Sequence, residues 1–224
     1  MNKKQIVILI LFAIGISGCK TDRNPIGAPA QAHYRMTFTA TWRQSTHPLN
    51  FPPNPHFSDL IGATHSREIK FWELGAAPSP GIENMAELGV TGDLAMEIQT
   101  AINENNAEFL LTGGSIFPSP GSIELEFDIS QSYPLATLVC MLAPSPDWFV
   151  GVSALNLFEN GDWVREKIVE LEVYDAGSDN GAVFTSPNID VDPKQAISKL
   201  TASSTDFRNG NPVVGTFTFT RVAP

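Results

Sequence analysis

The sequence predicts an all-β protein, an antiparallel β-sandwich with one or two short helices in its connections. Two observations favour this class. Segments in which apolar and polar residues alternate recur along the chain, as in strands with one buried face. Turns rich in Gly, Pro and Asn separate these segments at short intervals. This spacing is typical of a sandwich rather than of a parallel α/β sheet.

The first half of the chain predicts two strands, a long loop and two helices. Residues 34–43 alternate strictly and predict a strand, whereas residues 45–66, rich in Pro, His and Asn, predict mostly loop. Residues 67–74 predict a second strand. Residues 82–88 and 93–103 predict helices, because apolar residues share one face of the second segment.

The second half of the chain returns to strand patterns. Residues 122–129 alternate, and residues 135–142 are apolar except for Thr137, as in a fully buried strand. Further strands are predicted at residues 148–157, 167–174 and 213–222.

The first residues predict export across a membrane. Lys3 and Lys4 precede an apolar run over residues 6–16, which has the length of a signal-peptide core and is too short to span a bilayer. We therefore expect a signal peptide over residues 1–18.

The end of that segment, Ile16-Ser17-Gly18-Cys19, resembles the lipobox of bacterial lipoproteins. The resemblance implies lipidation of Cys19 and an anchor in the cell envelope, at an outer membrane or the cell surface. The alternative is an ordinary secretory signal that contains a cysteine. Residues 19–32 would form the lipidated cysteine and a flexible tether, and residues 33–224 the folded domain.

The charge of the chain limits its partners. The whole sequence has 14 basic and 24 acidic side chains, and loss of Lys3 and Lys4 leaves 12 basic ones and a net charge near −12. Nucleic acid is therefore not expected as a partner, because it requires clustered Lys and Arg. With Cys19 lipidated, Cys140 is the other cysteine, and its apolar surroundings favour a core residue over a catalytic thiol.

Two short segments carry acidic residues in constrained backbone. Residues 175–181 place Asp175 and Asp179 among glycines, which suits either a plain hairpin turn or a loop that directs oxygens at a hard cation such as Ca²⁺. An EF-hand is excluded, because Ser186 occupies the position of its closing glutamate. In residues 143–151, two prolines precede Asp147 and Trp148. Taken alone, Asp147 could cap a turn.

Together, these segments resemble the spondin domain, the N-terminal domain of F-spondin and mindin. The matching stretches are APSPDWFVGVSALNL, DAGSDNG, TSP, TFTATWRQSTHPLNFP, HFSDLIGATHS and GIENMAELG. The resemblance implies a sandwich of about eight antiparallel strands, similar to calcium-dependent lipid-binding domains, with one Ca²⁺ at a loop edge. It implies Asp147, Asp175 and Asp179 as metal ligands.

The resemblance and the residues together predict a calcium-binding adhesion module that is not an enzyme, with an extracellular protein or glycan as its ligand. The alternative is a metal-dependent hydrolase in which the loop histidines His47, His56 and His65 converge on zinc. Against it, the chain has no nucleophile elbow, no zinc-protease helix motif and no phosphate-binding glycine loop. Histidines that pack against loop backbone are the other interpretation of these three residues.

Overall fold

A computed structural model describes residues 27–201, 203–207 and 212–222. The expected signal peptide and Cys19 lie outside the described residues. The helices are α1 (Pro80–Leu88) and α2 (Gly92–Asn103). The strands are β1 (Gln31–Ala40), β2 (His56–Phe57), β3 (Ile61–His65), β4 (Ala107–Thr112), β5 (Gly121–Ser130), β6 (Leu135–Ala143), β7 (Trp148–Asn156), β8 (Phe158–Glu159), β9 (Asp162–Trp163), β10 (Glu166–Asp175), β11 (Ser198–Lys199) and β12 (Val213–Val222).

Eight of these strands form one antiparallel path in the order β4-β3-β6-β7-β10-β12-β1-β5, and the path curls into a nearly closed sandwich. The predicted all-β fold is confirmed. Strand β10 joins the two halves of the sandwich, because its C-terminal end pairs with β7 and the rest of it pairs with β12. The start of β7 and the end of β10 thereby meet at one edge.

Strand β1 shows how the alternating pattern builds the core. It pairs with β12 on one side and with β5 on the other, so it lies inside the sheet. Tyr34, Met36 and Phe38 are fully buried on its inner face, while Arg35 on the outer face binds Glu126 of β5. The predicted strand is confirmed, but it begins and ends three residues earlier than predicted, at Gln31 and Ala40.

Contacts hold the chain to the domain even before β1. The Trp163 indole donates to the Pro29 carbonyl at 2.7 Å, and the Gln131 side chain donates to the carbonyls of Ala28 and Pro29. The last residues of the expected tether therefore already contact the domain.

The two predicted helices are confirmed, and they cover the outer face of β3, β6 and β7 with a second apolar core. In α1, the Ser79 hydroxyl accepts from the Ile82 N–H, and Gly89 ends the helix in a left-handed conformation with φ of 66°. The buried side of α1 includes Ile82 and Met85. Neither helix of the described part is long and apolar enough to cross a membrane.

The strand predicted at residues 67–74 is wrong, and β3 lies instead inside the segment predicted as loop. Phe71 and Trp72 are both buried although they are neighbours, so this segment lacks the alternation of a strand. Strand β3 was missed because all five of its residues are buried, which leaves no alternating pattern. Strand β4 was also missed.

Candidate metal centre

Strand pairing brings two of the three predicted aspartates together. Asp147 directly precedes β7, and Asp175 is the last residue of β10. Asp175 pairs with Trp148 across the two strands, and the Ala176 N–H donates to the Asp147 carbonyl at 3.1 Å. Residues far apart in the sequence therefore share one edge of the sandwich.

The turn after β10 folds back over Asp147. Gly177 begins the turn with φ of 77°, and a Cβ at this position would lie 2.6 Å from the Gln195 carbonyl oxygen. The backbone N–H groups of Ser178 and Asp179 then donate to Asp147 Oδ2 at 2.8 and 3.0 Å. The Ser178 hydroxyl donates to the same oxygen at 3.3 Å. One carboxylate oxygen thus anchors the whole turn.

The other oxygen of this carboxylate has no hydrogen-bond partner. Asp147 is fully buried, and its Oδ1 contacts no donor among the described residues. A buried carboxylate oxygen without a donor is costly, whereas a cation bound to it would satisfy it. The site therefore fits the hard, oxygen-seeking cation that the family resemblance implies.

Backbone donors orient the other two carboxylates. The Gly177 N–H donates to Asp175 Oδ1 at 2.8 Å. Asp179 accepts from the Gly181 N–H at 2.6 Å and from the Ile189 N–H at 2.8 Å, one bond to each oxygen. Each bonded oxygen keeps a lone pair, so these bonds fix the carboxylates without preventing metal ligation.

The three aspartates share an edge but do not form a closed set of ligand atoms. Within the described ranges, the acidic side chains that bring one oxygen each within 4.8 Å of one another are Glu83, Glu87 and Asp190. Sequence reasoning missed this second group. Glu83 and Glu87 are four residues apart in a segment predicted as helix, so the pattern i, i+4 already placed them on one face.

Burial and mutual repulsion dominate the electrostatics of this edge. Burial raises the pKa of Asp147 to about 6, and the Asp175 carboxylate adds to the effect. Burial also raises the pKa values of Asp175 and Glu87. In the described part of the chain, no Lys or Arg forms an ion pair with Asp147, Asp175 or Asp179.

The metal-free protein is therefore expected to become more stable as the pH falls from 7 to about 5. The folded pKa of Asp147, about 6, lies above its ordinary value of 3.8, so the folded state takes up the proton first. The buried negative charge of Asp147 destabilises the folded state above pH 6, and protonation relieves this destabilisation as the pH falls towards 4. Melting curves at pH 7 and 5.5 measure this gain. Equal gains in wild type and Asp147→Asn would show that Asp147 is not its source.

The three loop histidines do not converge, so the zinc site of the hydrolase alternative is not formed. Each imidazole has its own neighbours: His47 bonds Thr46 and packs on Phe207, His56 bonds the Asn54 carbonyl, and His65 bonds the Ser66 carbonyl and the Thr137 hydroxyl. None of them belongs to the metal-sized group found among the described residues. Packing within loops and core explains all three.

Cys140 is a core residue, as predicted. It is fully buried in the main core, and burial raises the pKa of its thiol far above the ordinary value. A thiol held in this neutral form is a poor nucleophile.

The fold and this edge define an antiparallel β-sandwich domain with an acidic loop edge. The sequence profile of the family described as Spondin_N matches residues 32–211. The chain belongs to the spondin N-terminal domain family, which confirms the resemblance seen in its motifs.

Individual spondins are also similar to this chain in sequence. The chain is 33% identical over 211 residues to Spondin-2 of Homo sapiens and 34% identical over 206 residues to Spondin-2 of Rattus norvegicus, with 90% and 88% of this chain covered. It is 34% identical over 179 residues to Spondin-1 of Gallus gallus, with 76% of this chain covered. The matches span 62% of either Spondin-2 and 22% of that Spondin-1.

Proposed function

We propose that this protein is a lipid-anchored, extracytoplasmic adhesion module of spondin type whose loop edge binds Ca²⁺. The observation that carries the calcium proposal is the buried, unpartnered oxygen of Asp147 beside two further aspartates. Membership of the spondin family supports an adhesion-type role.

The donor set favours calcium over a transition metal. Asp147, Asp175 and Asp179 offer only hard carboxylate oxygens, and the turn between them adds backbone carbonyls. Bound Ca²⁺ would neutralise carboxylates that repel one another, and it would tie the start of β7 and the end of β10 to the turn. Its role in this proposal is structural.

Calcium is expected to raise the melting temperature of the wild-type protein by roughly 5–10 °C at a hundredfold excess over its Kd, because it binds only the folded state. Asp175→Ala should abolish most of this rise, since it removes a carboxylate from the proposed shell. Differential scanning calorimetry with and without EGTA measures both effects.

Asp128→Ala provides the matched control. Asp128 is an exposed aspartate that bonds His33, and its strand β5 lies three strands away from β10 in the sheet. Its calcium response should equal that of the wild type. A wild-type protein with the same melting temperature in calcium and in EGTA would contradict the proposed site.

The membrane anchor is proposed from residues 16–19 and from the secretory character of the segment before them. Cys19→Ser should release the protein from the membrane fraction, because no acyl chains can then be attached to the sulfur. Mass spectrometry of the wild-type N-terminal peptide should show the added lipid. Recovery of wild type and variant in the same soluble fraction would argue for an ordinary secretory signal.

The proposed partner is an extracellular protein or a glycan rather than nucleic acid, in keeping with the net charge of −10. A screen of immobilised glycans and extracellular proteins against the calcium-loaded domain would identify it. Loss of binding in EGTA would show that the partner binds only when calcium is bound at the edge formed by Asp147, Asp175 and Asp179.

A further inference from the structure

Glu87 differs from the two acidic residues beside it. Lys194 forms ion pairs with Glu83 at 2.9 Å and with Asp190 at 2.5 Å, so both of these carboxylates have a cationic partner. Glu87 has no such ion pair among the described residues, and its Oε1 is buried without a hydrogen-bond partner. Lys194 attracts Glu87 only from beyond ion-pair distance, so it compensates this charge only in part.

The surroundings of Glu87 connect it to the aspartate edge, which is the edge of the sandwich formed by Asp147, Asp175 and Asp179. The Ser178 side chain interacts with the carboxylates of both Asp147 and Glu87. Glu87 and Asp179 line the same small cavity of about 140 Å³, together with Ser145, Ser186 and Asn188. The two unpartnered buried oxygens, Asp147 Oδ1 and Glu87 Oε1, thus belong to carboxylates that flank one serine.

The position of Glu87 in its helix is unfavourable for a negative charge. It lies in the last turn of α1, where the helix dipole favours cations, and α1 has no basic residue in that turn. Glu83 stands one turn away, and Asp147 adds a further repulsion. A bound cation would offset all of these costs at once.

We infer that Glu87 is a fourth carboxylate of the calcium site, contributed by α1 to the edge formed by Asp147, Asp175 and Asp179. The inference rests on the proposed function, since it assigns a further residue to the same cation. It links the helical layer to the sandwich edge, so calcium would hold α1 against the turn after β10. A fourth negative charge would also raise the affinity for Ca²⁺.

The test compares Glu87→Gln with Glu83→Gln in the full domain. Glutamine keeps the shape of the side chain and one accepting oxygen, replaces the other oxygen with an NH₂ donor, and removes the charge. Calorimetric titration of calcium-stripped protein with CaCl₂ should give about a ten- to hundredfold weaker Kd for Glu87→Gln than for the wild type. Glu83→Gln should bind within about threefold of the wild type, because Lys194 already compensates Glu83.

A second readout separates ligation from mere packing. Without calcium, Glu87→Gln should melt at or above the wild-type temperature, because it removes a half-buried charge that neighbouring carboxylates repel. Equal Kd values for Glu87→Gln and wild type would overturn the inference while leaving the aspartate site intact. Equal losses in both glutamine variants would also overturn it, since the ion would then lie among Glu83, Glu87 and Asp190. Absence of calcium binding in the wild type would instead reject the proposed function.

Discussion

Gly62→Ala is expected to lower the free energy of unfolding by about 3 kcal/mol, because the sheet has no room for a side chain there. Gly62 lies in β3, between β4 and β6. A Cβ would sit 1.8 Å from the Thr137 carbonyl oxygen and 2.9 Å from the Leu138 Cα, and both are backbone atoms of β6. Urea denaturation followed by tryptophan fluorescence would measure the loss.

Gly114→Ala is the control for this prediction. Gly114 is exposed, and a Cβ there would meet nothing within 4 Å. The free energy of unfolding of Gly114→Ala should therefore stay within about 0.5 kcal/mol of the wild-type value. If Gly62→Ala were equally mild, then β3 could not pack against β6 as closely as described.

Asp147→Ala is expected to destabilise the calcium-loaded protein by about 3 kcal/mol. The change removes the shared acceptor of the Ser178 and Asp179 N–H groups, and it also removes the oxygen that we assign to the cation. Equilibrium unfolding in saturating calcium would measure this loss.

Asp147→Asn separates the two contributions. The amide oxygen can still accept from the turn, and the buried charge is gone, so calcium-stripped Asp147→Asn should be at least as stable as calcium-stripped wild type. It should nevertheless gain no stability from calcium. A normal calcium response in Asp147→Asn would mean that Asp147 holds the turn but not the ion.

The sequence predicted best the strands whose burial follows a simple pattern. Strand β1 alternates between more and less buried positions, and β6 is almost wholly apolar because it lies inside the sheet with both faces covered. The three aspartates were predictable only through the family resemblance. Spacing alone left Asp175 and Asp179 compatible with a plain turn, and Asp147 became their neighbour only through the pairing of β7 with β10.

Features that depend on tertiary packing were not predictable in the same way. Strand β3 lacks alternation because helices cover its outer face, and Trp72 is buried by contacts with Phe149 and Tyr174 rather than by strand geometry. The position of Glu87 beside Ser178 depends on how α1 packs on the sheet. The apolar periodicity of α1 does not predict the contact between Glu87 and Ser178.

Calorimetric titration of the calcium-stripped wild-type domain with CaCl₂ tests directly whether the aspartate edge is a calcium site. Saturable binding of one Ca²⁺ per chain is expected, with a Kd at or below about 10⁻³ M, as found in extracellular calcium modules. The same titration of Asp147→Asn should give no saturable heat. No binding by the wild type up to several times that concentration, or equal binding by both proteins, would contradict the calcium site.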